Sequence, residues 1–366
     1  MNKRLHDHAA DLKTLALELG LSQSTVSRAL RAHPGIPEST RRRVVAAAEA
    51  AGYRPNARAR SLATGRTETI GLSFPLERLQ LPETNFVDVL AGISTAVTSR
   101  NYNLLLSPFQ GDEAAVLRKL ASSKAIDGVI ITRPLVADPR IALLNELRLP
   151  FVLHGRSEIE LPYSFVDTDN DNAFERLTNL LLDYGHRRIV VINGLAQFRY
   201  VAARAASFRR AFAARGLTPP PDAIEFVSMT EATGYETAMR RLKDAERPTA
   251  FLCGSVFQAR GVYRAIAENG LSVGGDVSVV CHDDGVRGCG AADLTPPLTA
   301  TATSIRGAGE ALALILIEMI EGRATQPVRK ILPFELILRD SVGLAGPHGR
   351  RSGEAAGPEG PNRVLP

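Results

Sequence analysis

Val26 and Leu30 fall at i, i+4 in the segment that follows Ser22. If Ser22 caps a helix running from Gln23 to about Leu30, this apolar pair turns inward and Gln23, Ser24, Ser27 and Arg28 face outward. An amide, two hydroxyls and a guanidinium on one exposed face are groups for hydrogen bonding. The strings of nucleotide and zinc-protease chemistry are missing: the chain has no GxGxxG, no GxxxxGK[ST] and no HExxH, so no enzyme is expected. Cys253, Cys281 and Cys289 have no CxxC spacing and sit in or beside apolar runs. They imply no metal site, disulfide framework or cofactor, and they fit a reducing cytoplasm.

Charge sharpens that picture. Residues 1–66 hold 12 Lys/Arg against 5 Asp/Glu, a local +7, which leaves −2 for the remainder of a chain whose net charge is +5. A basic head on a near-neutral body is the electrostatic footprint of a nucleic-acid contact, because cations that neutralise phosphates release condensed counterions. A merely solvated cationic face carries the same charge, so charge alone leaves both readings open. No signal-type apolar segment opens the chain and no run of 18 apolar residues occurs, so no membrane span is expected and the protein is read as cytoplasmic.

The elements that must position these groups follow from periodicity. Asp11 caps a helix holding Leu12, Leu15, Ala16 and Leu19, which Gly20 stops; a third helix spans roughly Glu38 to Ala51. Ala16, Gly20 and Val26 then fall at helix-turn-helix spacing: a small residue at the helix contact, a turn glycine and a buried β-branched residue. From Thr69 onward, short apolar strands (70–74, 103–107, 128–131, 151–153, 189–192, 250–253, 277–281) alternate with helices (87–100, 174–184, 204–215, 234–243, 257–269, 307–321). Such alternation predicts parallel sheets in two Rossmann-like lobes. Residues from about 345 onward are rich in Gly and Pro and nearly devoid of apolar residues, and read as a disordered tail.

The string LALELGLSQSTVSRAL, followed by IPESTRRRVVAAAEAAGYRPNARARSLATGRTETIGL, resembles the lactose/galactose-repressor (LacI) family. The resemblance continues through VDTDN, YGHRRI, AENGLSVGGDVSVV, HDD and PPLTA, from about Asp11 to Val342. It implies a helix-turn-helix DNA-binding domain (1–54), a hinge helix and linker (55–66) and an effector-binding and dimerisation domain (67–344). The last would have the two-lobed fold of the type I periplasmic binding proteins, with lobe one at 69–166 and 305–332 and lobe two at 167–304 and 333–342. By the same resemblance Gln23 and Ser24 would meet base edges, Ser22, Thr25 and Ser27 would bond phosphates, and Arg28 would add a base or backbone contact. Arg41, Arg42 and Arg43 are open to phosphate contact or plain solvation. Asn56, Arg58 and Arg60 would lie near phosphates or the minor groove, with Leu62 as a wedge that kinks the duplex. A hinge this short is too short to stay helical alone, so its folding would be coupled to binding.

For the cleft between the lobes, Arg204 and Asp283 match the family's effector-binding arginine and aspartate. Asn85, Phe86, Thr132, Arg133, His154, Tyr200, Met229, Ser255 and Thr303 are further candidates. Ser255 and Val256 stand where the family carries Asn-Asp, Arg31 where it carries Asn, and the loop Pro75–Glu83 is lengthened, which fits a lid. The implied partners are a palindromic double-stranded operator, a second copy of the chain and a small sugar that releases DNA. A mono- or disaccharide is implied, with an α-glucoside as the working choice. A corepressor- or partner-dependent regulator, or an activator, is the alternative within the same family.

Overall fold

The computed structural model describes residues 11–30, 33–53, 65–76, 84–285 and 287–346. The chain forms two compact units, 1–68 and 69–366.

The first unit holds three helices, α1 (Leu12–Leu19), α2 (Gln23–Leu30) and α3 (Glu38–Ala50). Asp11 starts α1 by accepting the Thr14 N–H at 2.7 Å, and Gly20 ends it at a φ of 65°, where a side chain would be strained. Leu15, Ala16, Val26, Ala29, Val44 and Ala48 close a common core. On α2 the deeply buried pair is Val26 and Ala29, and Leu30 is only partly covered.

The second unit repeats one topology twice. Sheet one contains β1 (Thr69–Pro75), β2 (Asn103–Phe109), β3 (Gly128–Thr132), β4 (Phe151–His154), β5 (Ser164–Thr168) and β11 (Arg329–Leu332), in the order β2-β1-β3-β4-β5-β11, all parallel. Sheet two contains β6 (Ile189–Asn193), β7 (Ile224–Phe226), β8 (Ala250–Cys253), β9 (Ser278–Asp283), β10 (Thr299–Ala302) and β12 (Glu335–Ile337), in the order β7-β6-β8-β9-β10-β12. Only β12 runs antiparallel there, a departure from wholly parallel sheets. Each sheet therefore reverses its strand order next to its first strand, at β1/β3 and at β6/β8. Crevices at such points, beyond the carboxyl ends of strands, are where open α/β sheets take ligands.

Alternate strand residues serve opposite faces. Ile70, Leu72, Ile130, Val152 and Val166 pack under α4 (Thr84–Ser99) and α11 (Ile305–Ile320), while Val129, Ile131, Phe151, Leu153 and Phe165 pack under α5 (Glu113–Ser123) and α6 (Pro139–Glu146). Sheet two is covered likewise by α7 (Asn170–Asp183) and α8 (Arg199–Ala213) on one face, and by α9 (Glu231–Arg241) and α10 (Val256–Glu268) on the other. The chain crosses between lobes after β5, after β10 and after β11. Among the described residues, no helix is long and apolar enough to cross a membrane.

In both lobes one helix pair crosses on glycine. A methyl group on Gly92 of α4 would stand 2.0 Å from the Arg306 carbonyl oxygen, and one on Gly309 of α11 would stand 2.3 Å from that of Val89. Gly234 of α9 and Gly261 of α10 meet Gln258 and Glu231 in the same way, at 2.2 and 2.1 Å. Gly92→Ala is therefore expected to lower stability by about 1–3 kcal/mol through overpacking, read as a lower chemical-denaturation midpoint. An unchanged or higher midpoint, as alanine's better helix propensity alone would give, counts against the crossing described.

Candidate functional site

On the helical unit, Gln23, Ser24 and Arg28 are exposed and Ser27 is half-buried. Their backbone is fixed by Ser22, whose Oγ accepts the Thr25 N–H at 3.0 Å and lies 2.8 Å from Thr25 Oγ1. The two hydroxyls share one bond, leaving one hydroxyl proton for an outside acceptor such as a phosphate. The three arginines of α3 act differently from a free cationic patch. Arg41 and Arg42 both pair with Glu38, and Arg43 donates to the Leu19 carbonyl at 2.7 Å, closing the end of α1. Asn56, Arg58, Arg60 and Leu62 lie outside the described residues, as do Arg31 and most of the lengthened loop.

In the second unit the carboxyl ends of both sheets bring together His154 from β4, Asp167 from β5, Arg204 from α8 and Asp284 just after β9. Arg204 lies inside α8, which begins at Arg199 and not at Arg204, and it is only 4% exposed. Its Nε donates to Asn170 Oδ1 at 2.8 Å and its Nη1 to the Gly254 carbonyl at 3.0 Å. The guanidinium stands 4.7 Å over the Phe174 ring and 5.1 Å over that of Tyr200. Burial pulls its pKa down, opposed by Tyr200, Asp284 and Asp167, although an arginine remains charged. Burial also pulls His154 below its ordinary value, against the pull of Asp167 and Asp284. At Asp284 burial pushes the carboxyl up, but His282, Arg204 and His154 hold it below the usual range.

Asp283, which the resemblance matches to an effector-binding aspartate, is buried at the end of β9. Its oxygens accept the N–H groups of Gly285 and Ala291, at 2.8 and 2.9 Å, so its carboxylate shapes the loop after β9. The second aspartate of the pair is the one whose charge meets Arg204 and His154. Ser255 likewise serves as the N-cap of α10, accepting from Gln258 N–H at 3.4 Å. Phe86 packs on Phe74 with ring centres 4.9 Å apart, against the lobe-one core. Asn85 lies within α4, and its side chain is not among those described. Thr303 donates its N–H to Asp283 O, continuing the β10 ladder.

Tyr200 stacks on Phe198 at 6.0 Å, and its hydroxyl points to the Met229 sulfur at 3.9 Å, so these two candidates do share one wall. Thr132 ends β3 and Arg133 follows it; Arg140 donates to both carbonyls and is itself held by Asp138 and Glu113. That brace presents the 133–136 segment to lobe two. Val136 N–H donates to Gln197 O, Arg199 N–H donates to Pro134 O, and the Arg133 guanidinium lies 4.1 Å over the Phe198 ring. A second link joins Asp88 to the Arg287 N–H at 3.2 Å.

Comparisons with known proteins agree with this geometry. Residues 11–56 match the family of bacterial regulatory proteins called the lacI family, and residues 178–342 match a periplasmic binding protein-like domain. The HTH-type transcriptional regulator AglR of Rhizobium meliloti (strain 1021) is 40% identical over 338 residues, covering 92% of this chain and 95% of that protein. The chain belongs to the LacI family. It is a DNA-binding transcription regulator, with a helix-turn-helix domain ahead of a periplasmic-binding-protein-like domain. The regulator CelR of Thermobifida fusca is 30% identical over 90% of this chain and 97% of its own length. Among solved structures, a CelR–cellobiose complex has a TM-score of 0.69 at 26% identity, covering 91% of this chain and 99% of that one. A lac repressor dimer bound to operator and an anti-inducer has a TM-score of 0.77 at 24% identity, covering 92% and 99%, and shares the fold.

For this LacI-family regulator, sequence reading missed Asn170, Asp167, Asp171, Arg156 and Asp284. The signal for Asp167 and Asn170 was present in VDTDN and that for Asp284 in the second aspartate of HDD, Asp171 directly follows VDTDN, and Arg156 had none. The ordinary histidine pKa is about 6.5 in the unfolded chain. With His154 and His186 both depressed by burial, the stability they contribute is complete above that pH and is lost as pH falls through their folded values. The ligand-free protein should therefore show a falling denaturation midpoint from pH 7 to 5, with a shallower fall in His154→Gln. An equal slope in the variant would show that His154 is not held neutral.

Proposed function

We propose that this chain represses carbohydrate-utilisation genes as a homodimer on a palindromic operator and is released by a small sugar bound between its lobes. The observation that carries the ligand half is Arg204: a buried guanidinium held through Nε and Nη1, over the Tyr200 ring and in the field of Asp284 and Asp167. Carboxylates, planar guanidinium groups and aromatic faces are what vicinal hydroxyls and the apolar face of a pyranose ring require. The CelR structure contains cellobiose, which supports a disaccharide as the effector class.

On the DNA side, Gln23 and Ser24 read base edges, Arg28 adds a contact on the same face, and Ser22, Thr25 and Ser27 bind phosphates. Asn56, Arg58, Arg60 and Leu62 serve as a hinge that orders on the duplex. This part rests on the family string and on the exposure of the α2 face. Ligand binding changes the relative populations of DNA-competent and DNA-released states.

Selection from random double-stranded DNA with the purified chain should enrich a pseudo-palindrome with half-sites about one helical turn apart. Gln23→Ala should relax preference at one base per half-site, costing about 1–3 kcal/mol there. Leu62→Ala should weaken the operator complex without changing the dimer. Enrichment of no palindrome, or an identical preference in Gln23→Ala, would refute the assignment.

A further inference from the structure

Resting on the sugar-sensing reading above for its effector half, we infer that Gln258 is a positioning residue of the cleft: its buried amide fixes the turn that presents a carbonyl to Arg204, and so sets effector affinity. Gln258 lies in the first turn of α10 and is fully buried. In the same turn Ser255 spends its hydroxyl as the N-cap and Val256 packs in the lobe-two core. The Gln258 amide joins three strand ends. Its Oε1 accepts the Gly254 N–H at 3.0 Å, and its Nε2 donates to the carbonyls of Asn193 and Ser228, both at 3.2 Å. Gly254 follows β8, Asn193 ends β6, and Ser228 leads from β7 into α9.

Each of these three points leads to the turn of α8 that carries Arg204. The Gly254 carbonyl accepts from Arg204 Nη1 at 3.0 Å. Asn193 Nδ2 donates to the carbonyl of Val201, the residue after Tyr200, at 3.0 Å. Ser228 is followed by Met229, whose sulfur faces the Tyr200 hydroxyl at 3.9 Å, and the Tyr200 ring lies 5.1 Å from the Arg204 guanidinium. A glycine peptide has wide freedom in φ and ψ, so a Gly254 carbonyl that must meet a buried guanidinium has to be aimed by its neighbours. Gln258 Oε1 and the Ile192 carbonyl hold the Gly254 N–H between them, the latter at 2.8 Å. An amide whose acceptor and both donors are engaged is locked in one orientation. Packing α10 on the sheet would be served by an apolar side chain of that length; the amide is needed only for what it aims. Functional groups reach productive geometry through such supporting bonds.

The test uses the full chain on its selected operator, with maltose, trehalose, sucrose and cellobiose as probes, in Gln258→Met and the isosteric Gln258→Glu. Both variants withdraw the Nε2 donors. Whichever probe releases the unaltered chain should be needed at a concentration at least about tenfold higher in the variants, while sugar-free operator affinity stays within about twofold. In the sugar-free protein the Arg204 Nε–H nuclear magnetic resonance signal should move or exchange faster, with the signal of Arg140, in lobe one, in place. Sugar affinity that is unchanged, or an Arg204 signal that stays put, overturns the inference. So does a loss of operator and sugar affinity in equal proportion, which marks a core brace and nothing more. If neither variant folds, the Gln258 side-chain amide signal is compared between the unaltered chain and Arg204→Lys; coupling being mutual, it must move, and an unmoved signal overturns the inference. If no probe acts on the unaltered chain, the sugar-sensing reading fails, and the Arg204 signal alone decides the positioning role.

Discussion

A guanidinium taken out of water must be met by acceptors where it lands, and the ligand cleft is organised by how Arg204 is met. Its Nε is bonded to Asn170, the first residue of α7, immediately after the chain leaves sheet one through β5. Its Nη1 is bonded to the carbonyl of Gly254, at the end of β8 beside the switch point of sheet two. One side chain thus ties an interlobe crossing to the floor of the second lobe. Asn170 Nδ2 in turn donates to the Thr168 carbonyl at 3.1 Å, so a change at the guanidinium is felt on the crossing strand. Asp167, Arg156 and Asp171 continue the same polar chain outward. Removing any one member leaves a charge or donor uncompensated, which is costlier than never having built the pair.

The scaffold supplies the precision this needs. Two sheets of the same strand order place their reversal points toward a common cleft, and each is stiffened by a helix pair packed backbone to backbone on glycine. The cleft edge at 132–136 is held by the Arg140–Asp138–Glu113 cluster and by Ser157, which accepts from Asp138 N–H and donates to Val136 O. At the far side of lobe two, buried His186 bridges Thr249 and the Gly343 carbonyl, pinning the returning chain that carries β12. That contact gives the YGHRRI string a structural explanation.

Much of this was legible in the residues. The three reader helices, the seven strands rich in branched apolar residues and six of the effector-domain helices follow from period and capping. The strands that escaped, Ser164–Thr168, Ile224–Phe226, Thr299–Ala302, Arg329–Leu332 and Glu335–Ile337, are short, small-residue or exposed, so they carry no apolar signature. The helices at Glu113 and Pro139 were announced only by their caps, Asp112 and Asp138. Site residues divided similarly. Arg204 and His154 could be named from the family resemblance, but HDD holds two chemically identical aspartates, and only the fold shows Asp283 closing a loop while Asp284 lies in the field of Arg204. Ser255 illustrates the same limit, since a serine that caps a helix and one that binds a ligand look alike in a string.

The most direct measurement of the account is operator affinity, by fluorescence anisotropy, with and without a saturating effector sugar, for the unaltered regulator and for Arg204→Lys. Lysine keeps the charge but cannot hold Asn170, Gly254 and a ligand with one planar group. The account predicts sugar-driven release of DNA in the unaltered protein, and in the variant an operator affinity within about twofold of normal with that release abolished, since coupling between sites is a single free energy. Release of the operator by Arg204→Lys at the same sugar concentration as the unaltered protein would contradict it.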